Sequence, residues 1–224
     1  MQRRFLGDAK DSFKWDYLDY LTRELGYAQL TVALMMRPDG KKNTHGRSEP
    51  EEFPARECVI DLCHQLRASR DPERIRDLPE ATGATYQVRL HCGDTLLTKD
   101  NRADYFAGFD SKHDQLVFLD PDNGFEPKGY TPQHVRYEDV ARVLGQVTEG
   151  SVVSVFQHFR YKQFGDDFAE IRERLWDCHS TAIYSDHVNV MIVGVAKSQR
   201  TIERVRVANE AYPSTEKKQV KVIA

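Results

Sequence analysis

No stretch of this 224-residue chain approaches the roughly twenty consecutive apolar residues that a membrane-spanning helix needs. The basic start Met1-Gln2-Arg3-Arg4 runs into Gly7-Asp8-Ala9-Lys10 without an apolar core, so no secretory signal is expected. Paired Cys-x-x-Cys spacing is also missing. Cys58, Cys63, Cys92 and Cys178 therefore read as reduced thiols of a cytoplasmic protein, not as a disulfide framework or a zinc site. Nor does charge of one sign dominate: 32 Lys and Arg stand against 35 Asp and Glu, for a formal net charge of −3. No global basic field recruits nucleic acid, and such a partner would need a local patch.

What the chain does contain is 40% hydrophobic residues in segments of alternating type, enough for a single α/β domain over residues 1–224. Phe13, Tyr17, Leu18, Leu21 and Leu25 recur at helical spacing before Gly26, which predicts a helix over 11–25. The apolar run 30–36 predicts a strand, cut off by the polar loop from Arg37 through Arg47. A helix around Val59, Leu62, Cys63 and Leu66 and a strand through Tyr86, Val88 and Leu90 follow. The run Leu116-Val117-Phe118-Leu119 is continuous, as in a central strand covered on both faces, and stops at Asp120-Pro121. Beyond it lie a helix around Val140, Val143, Leu144 and Val147, a strand over 152–156 and a helix around Phe168, Ile171 and Leu175. A hairpin pairs 182–184 with 188–195, and a weak final strand ends the chain. This order predicts a Rossmann-like, mostly parallel sheet with helices on both faces and a C-terminal antiparallel hairpin. Ligands of such sheets sit beyond the C-terminal strand ends, so the loops after Met36, Leu90, Leu119 and Phe156 are expected on one rim.

Candidate chemistry collects on that rim. Asp120-Pro121-Asp122-Asn123-Gly124 places two carboxylates at a strand end, where their charge is costly unless used, although Asn-Gly is also good turn chemistry. Gly7-Asp8-Ala9-Lys10-Asp11-Ser12-Phe13-Lys14 opens the first helix. Here Asp8 or Asp11 suits a helix cap, and Lys14 is either a solvated charge or a contact to phosphate or carboxylate. His158 closes a strand on the same rim. His45, His91 and His158 with Asp120 and Asp122 are metal-type donors without helical spacing.

The Asp120-Pro121 strand end resembles the adenine-N6 branch of class I methyltransferases, whose fourth strand ends in Asp-Pro-Pro-Tyr or a close variant. Asp122 stands in place of the second proline and Asn123 in place of the aromatic. The opening segment is similar to the N-terminal signature of the ribosomal-RNA enzymes of that branch. Over most of its length the chain resembles more closely a bacterial family with a Gly-Asp-x-x-Asp-x-x-Lys opening and the same Asp-Pro-Asp-Asn-Gly strand end. That closer resemblance carries no activity with it.

The methyltransferase resemblance implies a class I methyltransferase-like fold and S-adenosylmethionine as cofactor. It also implies a nucleic-acid base whose amine is oriented by Asp120 and Pro121, with Phe125 or Phe159 stacking on the base. Asp120, Asp122, Asn123, His158 and Lys14 are then the candidate catalytic residues, and Asp8, Arg37, Asn43, His45 and Gly46 the candidate cofactor contacts. The loop after the first strand lacks the closely spaced glycines usual in that class. Its Arg37, Lys41, Lys42 and Arg47 equally suit a phosphate or plain solvent. The main alternative is a metal-dependent nuclease or phosphodiesterase, in which Asp8, Asp120 and Asp122 hold Mg²⁺ and Lys14, His158 or Arg160 stabilises developing charge. A non-catalytic binding module on the same sheet is the third reading.

Overall fold

A computed structural model describes residues 1–38, 48–93, 95–109, 112–212 and 220–223. Seven strands make one sheet: β1 (Gln29–Ala33), β2 (Gln87–Leu90), β3 (Leu116–Leu119), β4 (Val152–His158), β5 (His179–Ser185), β6 (Val190–Ala196) and β7 (Lys221–Ile223). Their spatial order is β2-β1-β3-β4-β6-β5-β7. β1 pairs in parallel with β2 and β3, and β3 with β4, while β6, β5 and β7 add antiparallel pairings.

The α/β class and the hairpin agree with expectation, but the parallel share is smaller. Three of the six pairings are antiparallel, because β6 inserts beside β4 and carries β5 and β7 outward. The arrangement is compatible with a Rossmann-like fold. Among the described residues no helix is long and apolar enough to cross a membrane.

Helices cover both faces. α1 (Ala9–Glu24), α2 (Glu57–Ser69), α3 (Leu78–Thr82) and α7 (Gln199–Ala211) share one core with Leu30, Val32, Leu116, Phe118, Val152 and Ile192. α4 (Arg102–Tyr105), α5 (Tyr137–Gln146) and α6 (Phe164–Arg174) share the other with Ala33, Val117, Leu119, Val153, Val155 and Val193. Neighbouring residues of one strand thus enter opposite cores, and the central strands read as unbroken apolar runs.

Two local outcomes differ from the sequence reading. β1 ends at Ala33, three residues before the apolar run does, because Met35 adopts a φ of 48° and turns the chain. Helix α7 is unassigned in the sequence reading, although Ser198 caps it by accepting from Thr201 N and Ile202, Val205 and Ala208 form its buried stripe.

α1 is set by the turn before it. Gly7 has a φ of 77°, and a Cβ there would lie 2.0 Å from the Cys63 carbonyl oxygen and 2.7 Å from Arg67 N on α2. Only glycine lets the chain cross α2 so closely. Gly7→Ala is expected to destabilise the protein by on the order of 3 kcal/mol, strain and overpacking adding. Gly26→Ala, with a φ of 68° but nothing within 4 Å, should cost only the backbone part. Denaturant midpoints that do not separate the two variants would refute the packing assigned to the opening turn.

Candidate functional site

β1 lies between β2 and β3, so the chain leaves β1 to one side and returns on the other. The crevice beyond the C-terminal ends of β1 and β3 is therefore a topological switch point, where open α/β sheets bind ligands. A cleft of about 720 Å³ opens there. Its walls include Asp8, Lys10, Asp11 and Lys14 from the start of α1, Arg37 after β1, Asp120 to Asn123 after β3, and Phe156 and His158 of β4.

The floor is an ion triplet. Lys14 Nζ lies 2.5 Å from Asp11 Oδ1 and 3.0 Å from Asp120 Oδ2, and sits 4.8 Å from the Phe156 ring centre. All three charged side chains are at most 4% exposed. Burial works against the Lys14 ammonium, but Asp11 and Asp120 outweigh it and raise its pKa. Burial likewise pushes Asp120 and Asp11 above the usual carboxylate range, with Lys14 opposing. Asp11 Oδ2 accepts from Gly7 N at 2.7 Å, so the opening turn and the triplet hold each other.

Asp8 is the α1 cap, accepting from Lys10 N at 2.9 Å and Asp11 N at 3.1 Å, and it also lines the cleft. Capping and site duties are here the same residue. Burial raises its pKa, opposed first by Lys14. His158 Nδ1 lies 3.4 Å from Lys10 Nζ, and its ring meets Phe156 edge to face at 4.8 Å. Desolvation, then the charges of Lys10 and Lys14, lower its pKa to about 3. The imidazole is neutral at neutral pH, and Lys10 itself is lowered by burial against the pull of Asp8.

After β3 the residues divide by role. Asp122 pairs with Arg37 and accepts from Gln2 Nε2 at 3.3 Å. Asn123 turns away: its side chain donates to Gln133 Oε1 at 2.7 Å and its N–H to the Gln133 carbonyl at 3.1 Å. Gly124 has a φ of 80°, and a Cβ on it would come within 2.1 Å of Gln157 Oε1, which accepts from Phe125 N. Turn chemistry thus accounts for Asn123-Gly124, while Asp120 and Asp122 remain with the cleft.

Of the sequence candidates, Asp8, Lys14, Arg37, Asp120, Asp122, Asn123 and His158 line this one cleft. Asn43, His45 and Gly46 lie outside the described residues. Phe125 is fully buried and stacked on Tyr137 at 5.1 Å, so it cannot meet a ligand. Phe159 is 40% exposed and does not line the cleft. Arg160 is bound to Asp167 and to the Phe125 carbonyl. None of the described residues of the loop after β2 lines this cleft: His91 Nε2 bonds the Tyr105 carbonyl oxygen at 2.7 Å and its ring stacks on Phe109. Sequence reasoning took Asp11 only as a cap and passed over Lys10, Gln2 and Tyr161; the three-residue spacing of Asp11 and Lys14 was the available signal.

No family model and no curated protein matches this chain. The assignment of chemistry rests on the site itself. Among the described residues no group of three or more His, Cys, Asp or Glu side chains is placed to share a metal ion. Asp8, Asp120 and Asp122 are engaged by backbone amides, Lys14 and Arg37 respectively.

Lys14→Met should leave two buried carboxylates without a cation and lower stability by about 3–5 kcal/mol. A loss below about 1 kcal/mol, the range of exposed pairs, would show the triplet to be solvated. A second expectation concerns pH. His158 takes a proton near 6.5 in an unfolded chain but near 3 when folded, so the stability it contributes is full above 6.5 and is lost as pH falls. In that window the wild type should lose up to about 1.4 kcal/mol per pH unit more than His158→Gln. Parallel stability–pH curves for the two would refute a neutral, desolvated His158.

Proposed function

We propose that this chain is a methyltransferase-like enzyme acting on an amine of a nucleic-acid base, held at Asp120 and Pro121. The observation that carries the reading is the position of Asp120: it is fixed by Lys14 and lines the switch-point cleft at the end of a central strand. Its carboxylate accepts an N–H of the amine, as does the Pro121 carbonyl, which turns the nitrogen lone pair into the cleft. Lys14 and Asp11 hold the Asp120 side chain in one orientation, so no reorganisation is needed when the amine arrives. A pKa raised by burial makes Asp120 a better acceptor for the proton that the amine gives up.

The lining offers hydrogen-bond acceptors for an amine. Its four carboxylates, Asp8, Asp11, Asp120 and Asp122, stand against four cations, Lys10, Lys14, Arg37 and the Met1 ammonium, which lies 3.5 Å from Asp122. S-adenosylmethionine would meet Asp8, which bonds the helix amides through Oδ1, and would have to exchange the Asp122–Arg37 pair for its own amino and carboxylate groups. When bound, that cofactor supplies an electrophilic methyl group on a sulfonium. The turn after β1 offers it little backbone: Met35 N donates to Tyr105 Oη, Met36 O accepts from Leu97 N, and Arg37 N donates to Met1 O. Side chains, not a glycine-rich turn, therefore do the holding.

Calorimetry with S-adenosylmethionine and, separately, with Mg²⁺ tests the reading. Binding of the sulfonium compound is expected, with transfer lost in Asp120→Asn, which keeps an oxygen acceptor for the buried Lys14 that Asp120→Ala would remove. Asp122→Asn should retain a measurable fraction of transfer, because Asp122 holds Arg37 and Gln2 and not Asp120. Heat with Mg²⁺ and none with S-adenosylmethionine would sink methyl transfer.

A further inference from the structure

The turn after β4 lifts one aromatic side chain out of the protein. Arg160, on one side of Tyr161, is fastened to the buried Asp167 and donates to the Phe125 carbonyl at 3.2 Å. Lys162, on the other, reaches Glu170 at 2.6 Å and Asp167 at 3.5 Å. One residue earlier, the Phe159 N–H donates to the Asn189 carbonyl at 3.1 Å. Yet Tyr161 between them is 96% exposed, with a φ of 61°. That backbone region is unfavourable for a bulky residue and persists where neighbours impose it, often for function. Its exposure therefore follows from anchored flanks, and the ring does almost no packing in the free chain.

Tyr161 also lines the switch-point cleft, together with Phe156 and His158 of the strand before it. β4 and its turn thus give the cleft an aromatic side, while α1 and the end of β3 give it a carboxylate side. The segment after Asp120-Pro121 supplies no ring to the ligand, since Asn123 is held by Gln133 and Phe125 is in the core.

We propose that Tyr161 is a specificity residue of this cleft, stacking on a planar heteroaromatic ring whose exocyclic amine reaches Asp120. The role rests on Asp120 as the amine acceptor and is independent of methyl transfer. A ring on an anchored turn, 96% exposed and touching the Phe159 ring edge to face at 5.9 Å, has nearly its whole surface free for a ligand, and stacking tolerates either a purine or a pyrimidine.

The test uses the full chain with adenosine and cytidine, which carry the amine, and inosine and uridine, which do not. Wild type is expected to bind the first pair more tightly than the second. Tyr161→Ala should weaken all four by roughly tenfold or more, and Tyr161→Phe should stay within about threefold of wild type, since the ring and not the hydroxyl stacks. Melting temperatures should be unchanged in both variants. Nucleoside binding by Tyr161→Ala equal to wild type, or binding of none of the four by wild type, overturns the proposal. If Tyr161-dependent binding stands while S-adenosylmethionine neither binds nor reacts, methyl transfer falls and the stacking role survives; active transfer with Tyr161→Ala binding as wild type gives the reverse.

Discussion

The Lys14 ammonium between Asp11 and Asp120 is the contact on which the rest of the cleft depends. It joins the first helix to the end of the central strand across 106 residues of sequence. Removing two carboxylates from water is unfavourable by several kcal/mol each unless a cation is fixed beside them. The same ammonium opposes the rise that burial imposes on both carboxyl groups, and the Met1 ammonium adds to it at Asp120.

A lysine can hold such a place only if its helix does not shift, and the far side of α1 shows how that is arranged. Asp16 and Asp19, both fully buried, bind Arg56 at 2.6 and 2.8 Å. Tyr212 Oη donates to Asp16, and Tyr86 Oη and Thr82 Oγ1 donate to Asp19, each at 2.8 Å. α7, α3, β2 and the start of α2 are thereby tied to one helix by hydrogen bonds whose geometry admits little freedom. Asp16 and Asp19 are buried on one side of α1 to anchor the helix, and Asp11 and Lys14 on the other to form the site.

This double burial also explains how much was legible in the sequence. The apolar stripe from Phe13 to Leu25 announced α1, but Asp11 read as a cap, Lys14 as a solvated charge or an anion contact, and Asp16 and Asp19 received no role, because burial of paired charges leaves no trace in hydrophobic periodicity. Asp120 was legible for the opposite reason: a run of four residues buried on both faces, broken by an acid and a proline, has few meanings. Phe125 misled because Gly124 turns the chain back to pair with Val135, which sends the next side chain into the core. The antiparallel half of the sheet was legible as a hairpin. Which edge it joins depends on long-range pairing of β6 with β4, which local sequence does not encode.

The two sides of the cleft differ in what they ask of a ligand. On the carboxylate side four acids face Lys10, Lys14, Arg37 and the Met1 ammonium, so on the proposed reading it selects through placed hydrogen bonds and not through net charge. The aromatic side, on the same reading, selects for a flat ring. His158 lies where they meet, and its neutrality matters: a protonated imidazole 3.4 Å from Lys10 Nζ would set a second cation beside the first. Desolvation in the cleft wall and the charges of Lys10 and Lys14 keep that proton off, so the groups that make His158 a poor base also keep this end of the cleft from gaining a further positive charge.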